Sequence, residues 1–422
     1  MRNIFSSRFI RDSGTLLSGN VIAQGVSFAA YLVLSRLFDT EDFGLYNIFY
    51  SYIEVLIILS TCKYELAIVR ADSDEEASHL AHLTLRLNAI VTIAILTVAL
   101  VISLFHISII PLPSTLLILI PFMVFFCGTT RVYTFLFNRY KQYRHIATSE
   151  VVTSLSGVGL KIIFGLMNGV MTILHTLGLP LGTVLGKLAG NGYMRYQLRK
   201  KGIVIAKGDR PMATAKKHKN FPLYVMPKEL VSSFSANLPI MWLSLYFDHA
   251  LIGLFTMALT FTMRPLGILA SGFEKVFYSS SLDKMQQGLP IWHDVRRFIL
   301  VLNTITIPIL VAVFIFSEPI FTFLFGEKWV GTGYYVRCIL PWFWVLLTTN
   351  SLAFVPNIFS TQKVDFFFQL AQLIMRIGAL WVGCYKRDYH LAILLFCTVS
   401  TLVQFVQLCW YIYQVRTCNK KD

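Results

Sequence analysis

Long apolar runs recur along the whole chain, separated by short polar breaks. Each run is about 20 residues, long enough for a helix to cross a ~30 Å hydrocarbon core. Twelve are predicted as membrane-spanning helices, at 14–36, 43–62, 79–105, 114–137, 146–167, 171–194, 222–246, 250–273, 297–317, 333–355, 364–384 and 389–413. In lipid only helices or closed barrels satisfy the backbone. Barrel strands alternate in polarity every second residue, and these runs do not. The twelve spans use most of the 422 residues and leave no room for a separate soluble domain.

The pattern also repeats. FDTEDFGLYNIFYSY, from Phe38, echoes FDHALIGLFTMALTF, from Phe247. At a constant offset of 209, Leu34-Ser35 falls on Leu243-Ser244, Phe38-Asp39 on Phe247-Asp248, Gly44-Leu45 on Gly253-Leu254, and Glu65 on Glu274. The offset is close to half the chain. It superposes the turn between spans 1 and 2 on that between spans 7 and 8. The expected fold is therefore all-α and integral to the membrane, with about 12 transmembrane helices in two six-helix lobes. A pseudo-two-fold axis along the membrane normal would relate them. The lobes are 1–194 and 222–422, joined by a basic linker at 195–221. Parallel repeats of this kind mark transporters that bind substrate between the halves. The same echo would also arise if two hairpins simply needed an Asp to start a helix and a Gly for close packing.

Composition agrees with a membrane protein. Mean hydropathy is +0.63, and charged residues are 14% of the chain, against about 25% in soluble domains. The net charge of +15 is a matter of position. With the N-terminus inside, the inner segments hold 25 of the 37 Lys and Arg, including the run from Arg195 to Lys219. The outer segments hold Arg36, Lys328, Arg337, Lys386 and Arg387. This bias places both termini in the cytoplasm. It explains the basic linker without nucleic acid. No cleavable signal peptide is expected, because the first apolar run is too long for one.

Seven cations lie within the spans: Arg86, Arg131, Lys161, Lys187, Lys228, Arg264 and Arg376. A cation at mid-bilayer costs about 2.5–3.5 kcal/mol on insertion scales, so each needs water or a partner. Lys187 and Lys228 sit toward inner ends and can snorkel. Lys161, Arg264 and Arg376 each end a polar stripe at helical spacing. The stripes are Glu150-Ser154-Gly157-Lys161, Thr256-Thr260-Arg264 and Asp365-Gln369-Gln372-Arg376. A milder stripe in span 1 joins Asn20, Gln24, Ser27 and Tyr31. Facing a wet cavity, these residues would make it cationic, with Arg131 and Arg86 adding to it. The expected lining is Arg264, Arg376, Lys161, Arg131 and Arg86, with Asn20, Gln24, Thr260, Gln369 and Gln372 as its polar wall. Facing one another, the stripes would only glue helices. A cationic cavity suits a phosphate or diphosphate, which Arg engages bidentately. Glu65 and Glu274, equivalent in the repeat, are candidates for ion coupling.

SEPIFTFLFGEKW, 317–329, reads as an outer interfacial element with Trp329 at the headgroups, and 282–298 as an inner amphipathic helix. The seven cysteines have no metal spacing and read as reduced thiols, although Cys338 and Cys384 both fall near the outer face. No glycine-rich phosphate loop, H-E-x-x-H or G-x-S-x-G occurs, so the chain reads as no enzyme, with no metal and no cofactor.

LSRLFDTEDFGLYNIFYSYIEVLIIL followed by KYELAIV, with acidic DSDEEA after it, resembles the opening of bacterial polysaccharide repeat-unit flippases of the Wzx type. These belong to the multidrug/oligosaccharidyl-lipid/polysaccharide exporter superfamily. The resemblance is strongest over residues 10–80. It implies two six-helix lobes forming a V around a cavity in the bacterial inner membrane. It implies movement of undecaprenyl-diphosphate-linked oligosaccharide from inner to outer leaflet, for O-antigen, capsule or exopolysaccharide synthesis, by alternating access. Its implied partners are that lipid-linked oligosaccharide, membrane lipids, and a polysaccharide polymerase and chain-length regulator, with no nucleic acid.

Two other functions fit the same span count. A multidrug or cation antiporter of the same superfamily would want a deep carboxylate. A membrane polymerase or glycosyltransferase acting on the same lipid-linked sugar would want a large outer loop bearing carboxylates or arginines.

Overall fold

The computed structural model describes residues 25–418, except 27, 108, 169, 170, 172, 207, 209, 210, 264–290 and 360. Among the described residues there is no strand. The helices are α1 Phe28–Leu37, α2 Thr40–Thr61, α3 Glu65–Arg70, α4 Asp74–Leu104, α5 Ser114–Arg139, α6 Tyr143–Met167, α7 Ile173–Lys200, α8 Pro211–Lys217 and α9 Met226–Leu243. Then follow α10 His249–Met263, α11 Trp292–Phe325, α12 Thr332–Ser351, α13 Val355–Ile358, α14 Gln362–Tyr385 and α15 Tyr389–Cys418. Each of the twelve expected spans overlaps one of these helices. Eight of them are long and apolar enough to cross a bilayer unaided. The chain forms two compact units, Met1–Asn237 and Leu238–Asp422.

The repeated motif builds the same corner in each unit. The amide of Phe38 donates to Leu34 O, and that of Phe247 to Leu243 O. Ser35 Oγ donates to Leu32 O, and Ser244 Oγ to Met241 O, again 209 residues on. Asp39 and Asp248 then stand where the next helix starts. Their carbonyls accept from Phe43 N and Ile252 N. At α2 the cap is reciprocal: the Asp39 side chain accepts from the Asp42 backbone, and Asp42 Oδ2 accepts from Asp39 N at 2.9 Å. This satisfies helix-start donors that lipid cannot.

Burial sorts the helices of unit 1. α2 and α5 bury 56% of their apolar stretches inside the protein, whereas α4 and α6 bury 11% and turn the rest outward. α2 and α5 are therefore the interior helices. A cluster including Tyr64, Ile68, Leu80, Val132, Leu136, Phe137 and Met194 closes one end of the unit. α6 and α7 meet almost backbone to backbone. A Cβ on Gly186 would lie 2.8 Å from Gly157 Cα and from Thr153 O, so only glycine allows this approach.

The linker is tied down on unit 1. Lys217 pairs with Asp72 at 2.8 Å and Glu76 at 2.6 Å, and His218 Nε2 lies 3.0 Å from Glu76. Ser78 Oγ donates to Val204 O and accepts from Ala206 N. Ser73 caps α4 by accepting from Glu76 N at 3.1 Å. After this latch comes a short π-helical turn, Phe221–Val225, leading into α9.

In unit 2 the first part of SEPIFTFLFGEKW continues α11 to Phe325, with Pro319 inside the helix; Gly326, at φ 100°, ends it and Glu327–Trp329 form a 3-10 turn. Phe321, Phe325 and Trp329 fall at i, i+4 and i+8 and pack inward, with Phe261 4.6 Å from Phe325. Trp329 is fully buried. It is therefore core, not the headgroup anchor that its position in the sequence suggested. The six described cysteines are free thiols, Cys338 and Cys384 among them.

Candidate functional site

Tyr46, Tyr50 and Glu54 recur every fourth residue and form one face of α2. Lys161 of α6 reaches this face. Its Nζ lies 4.8 Å above the Tyr46 ring and 3.4 Å from the Tyr46 hydroxyl. Thr183 Oγ1 of α7 is 3.1 Å from the same hydroxyl. The lysine stem passes where Gly182 has no side chain: a Cβ there would sit 2.5 Å from Lys161 Cγ. Among the described residues Lys161 forms no ion pair with a carboxylate. Its charge rests on the ring face, which attracts cations by about 0.5–2 kcal/mol depending on desolvation.

Two turns along α2, a cleft of about 500 Å³ opens between α2, α5 and α9. Glu54 lies in its wall and accepts from Asn237 Nδ2 at 2.9 Å. Arg131 of α5 lines it from the other side. Behind Arg131 stands Glu65, 1% exposed, its Oε1 3.7 Å from Arg131 Nη1. Neither Arg131 Nη1 nor Glu65 Oε2 makes a hydrogen bond. Glu65 reaches this position because Cys62 and Lys63 both adopt positive φ, 48° and 62°, between α2 and α3. Two non-glycine residues in that region are a local cost of the kind that gathers at functional sites. The turn also buries Lys63, which pairs with Glu229 on the cleft wall.

The cleft thus carries both signs. Arg131 is matched by Glu65 and Glu229 by Lys63, leaving Glu54 with an amide partner. The sequence suggested a net cationic lining; the charges of this cleft are largely paired, and Lys161 stands on the Tyr46 face beside it.

In unit 2 the stripe on α14 meets a second stripe on α15. Asp365 Oδ1 accepts from Gln407 Nε2 at 2.8 Å and from the Tyr411 hydroxyl at 2.7 Å. Gln369 Nε2 donates to Asp365 Oδ2 at 3.3 Å, and Gln372 Nε2 to Gln404 Oε1 at 3.1 Å. Arg376 Nε donates to Ser400 Oγ at 2.9 Å. The Arg376 guanidinium lies against both rings of the edge-to-face pair Trp342 and Phe396, at 5.0 and 4.9 Å, and is 4% exposed. Through Asp365, Gln372 and Arg376 the stripe expected to face water joins two helices, while Gln369 bonds only to Asp365 on its own helix and its buried Oε1 makes no hydrogen bond.

Arg86 is exposed on α4 and does not line the cleft. Thr260 is half-buried near the described end of α10. Arg264, Asn20, Gln24 and Glu274 lie outside the described residues. Asp39, Asp42 and His175 offer ligand atoms within 4.8 Å of one another. Their closeness follows from the reciprocal cap of α2, to which His175 Nδ1 adds a contact at 3.7 Å.

A family model described as "Polysaccharide biosynthesis protein" matches residues 33–332. The chain belongs to this family. No curated protein sequence matches it. Among solved structures it is similar to the lipid II flippase MurJ in an inward closed conformation, with TM-score 0.70 and 13% identity, covering 93% of this chain and 87% of that one. It is also similar to an inward-facing multidrug resistance MATE family transporter of the MOP superfamily, with TM-score 0.68 and 16% identity over 94% and 95% of the two chains. A MOP superfamily transporter from Pyrococcus furiosus follows at TM-score 0.60 and 13% identity, over 97% and 96%. These likenesses establish the fold: the two-lobed helical architecture of that superfamily, in a multi-pass membrane protein.

Two features escaped a reading guided by charge alone. Tyr46, Tyr50 and Glu54 are spaced for one face of span 2, and Ser400, Gln404, Gln407 and Tyr411 for one face of span 12. Both stripes were present as helical periodicity. Neither ends in a cation, so neither stood out.

Proposed function

We propose that the chain is a flippase. It moves undecaprenyl-diphosphate-linked oligosaccharide repeat units across the bacterial inner membrane, from a side shared with both termini to the other. The observation that carries this reading is Lys161, held over Tyr46 in a chain of the polysaccharide biosynthesis family. An unneutralised cation on a tyrosine-lined helix face suits an anionic head group with sugar attached. Arg131 stands about two helical turns away, ~12 Å along α2, close enough for one extended head group to meet both. Taking Arg131 away from Glu65 onto a diphosphate exchanges a 3.7 Å ion pair for bidentate hydrogen bonds. The lobes 1–194 and 222–422 alternate access by rocking, while the lipid tail stays in the bilayer.

The test is a strain lacking the protein, from which lipids are extracted and diphosphate-linked oligosaccharide on the cytoplasmic leaflet is quantified. Complete repeat units accumulate there, wild-type protein clears them, and a Lys161→Ala variant does not. Unchanged lipid-linked sugars would remove the proposal. A second reading, cation antiport, draws on Glu54, a carboxylate on the open cleft. It predicts that the strain becomes sensitive to an organic cation such as ethidium, and that Glu54→Gln alone reproduces the sensitivity.

A further inference from the structure

Unit 2 has a cavity of its own, away from the polar seam. About 410 Å³ lies between α11, α12 and α15, walled by Phe314, Arg337, Pro341, Leu394, Thr398 and Leu402 among others. Its walls are apolar in effect. Thr398 Oγ1 donates to Leu394 O at 2.7 Å, and Thr401 Oγ1 to Cys397 O at 2.7 Å. Both hydroxyls are spent on their own helix. Phe314, Leu394 and Leu402 remain 48%, 44% and 57% exposed. α11 buries none of its apolar stretch inside the protein. The groove therefore opens sideways, onto the acyl chains.

One charge stands in it. Arg337 is exposed in the second turn of α12. Its Nε donates to Ser317 Oγ at 3.1 Å, which fixes the guanidinium and leaves the other N–H donors of its fork to a ligand. The neighbouring carboxylate, Glu318, is turned to the Gly331 amide. The position runs against the charge bias of the chain, since Arg337 is one of five cations in the segments read as outer. From Leu394 to Leu402 the groove follows α15 for ~12 Å. That is most of one leaflet, half of a ~30 Å core.

We propose that this groove is a binding site for an anionic phospholipid. The phosphate sits on Arg337 and one acyl chain lies between α11, α12 and α15. The length argues for this occupant over a polyprenyl chain, which is far longer than one leaflet. The proposal is independent of what the cleft of unit 1 carries.

The test uses the full chain in nanodiscs of phosphatidylcholine with a minor fraction of phosphatidylglycerol, released into mild detergent and weighed by native mass spectrometry. Wild-type protein retains one phosphatidylglycerol. Arg337→Gln lowers that retention by about tenfold, the size of one charge-assisted contact of ~1.4 kcal/mol. Thr398→Trp fills the groove, leaves Arg337 in place and lowers retention equally, so the test survives if Arg337→Gln folds poorly. Equal retention of the two lipids by wild-type protein overturns the proposal. So does a Thr398→Trp variant that holds phosphatidylglycerol as wild type does. Added undecaprenyl phosphate that displaces phosphatidylglycerol from wild-type protein at equal concentration would assign the groove to the carried lipid instead, and would overturn the phospholipid assignment.

Discussion

Arg376 of α14 donates to Ser400 of α15 at 2.9 Å, with its guanidinium against the rings of Trp342 and Phe396. A cation in this setting is an interior tie. Desolvated cation–π contacts are worth about 2 kcal/mol or more, and a hydrogen bond to a charged group about 1.5–3 kcal/mol. Arg376→Ala should therefore insert into the membrane but lose stability by roughly 3 kcal/mol or more, and lose abundance with it. Thermal unfolding in detergent reads this directly. Ser400→Ala should cost less, about 1–2 kcal/mol, since the rings remain. Unchanged stability in Arg376→Ala would return the residue to the list of head-group ligands.

The twelve spans were legible because hydropathy is a property of each segment alone. The corner at Phe38-Asp39 and Phe247-Asp248 was legible because a repeated local hydrogen-bond pattern demands repeated residues. What a polar stripe faces is a different matter. Asp365, Gln369, Gln372 and Arg376 look the same whether they meet water or a second stripe, and only the neighbouring helix decides. Ser400, Gln404 and Gln407 decide it here. Trp329 misled for a related reason. Pro319 and a run of aromatics suggest a membrane-surface turn, yet a bilayer leaves backbone groups no water to turn to. The helix runs on to Phe325, and the 3-10 turn after Gly326 folds Trp329 into the core.

Lys161 offers a cleaner probe of transport than Arg376. It is half-buried and bound to Tyr46 chiefly through the ring face. Lys161→Ala should leave thermal stability within about 1 kcal/mol of wild type while clearance of lipid-linked sugar falls about tenfold, the effect of losing ~1.4 kcal/mol of binding. Gly182→Ala should also lower transport, because its Cβ would press on Lys161 Cγ at 2.5 Å, but with a loss of stability, since the same Cβ lies 3.1 and 3.2 Å from Lys161 N and Gly157 O of the α6–α7 contact. Full transport in both variants would separate the Tyr46 face from the head group.

The Arg131–Glu65 pair should behave asymmetrically. Glu65 is 1% exposed, whereas the Arg131 side chain is 33% exposed. Arg131→Gln leaves a buried carboxylate without its counter-charge and should cost about 3–5 kcal/mol. Glu65→Gln removes the buried charge and lets Arg131 turn to the cleft, so it should cost under about 1 kcal/mol. The double variant should then recover most of the loss seen with Arg131→Gln alone. A double-mutant cycle on thermal stability measures this, and additive losses would mean that the pair is not coupled.

The latch between the linker and the polar start of α4 makes a pH prediction. Partial burial opposes ionisation of Glu76. Hydrogen bonds from Lys217, His218 and the Asp72 amide outweigh it and hold the carboxyl at about 2, below its ordinary 4.5. A carboxylate with a depressed folded value stabilises the folded form above its unfolded value, and that contribution is lost as pH falls. The latch should therefore be intact at neutral pH and weaken between pH 4.5 and about 2. Cleavage of the linker by an acid-active protease should rise across that window, faster than cleavage elsewhere. Glu76→Gln should show the same exposure of residues 201–220 at pH 7, where wild type resists trypsin despite the lysines there. If wild type and Glu76→Gln are cut at equal rates at neutral pH, the ion pairs of Lys217 do not hold the linker, and the bonds of Ser78 and Tyr64 to its backbone, with Ile203 and Ile205 packed on the core, must do so.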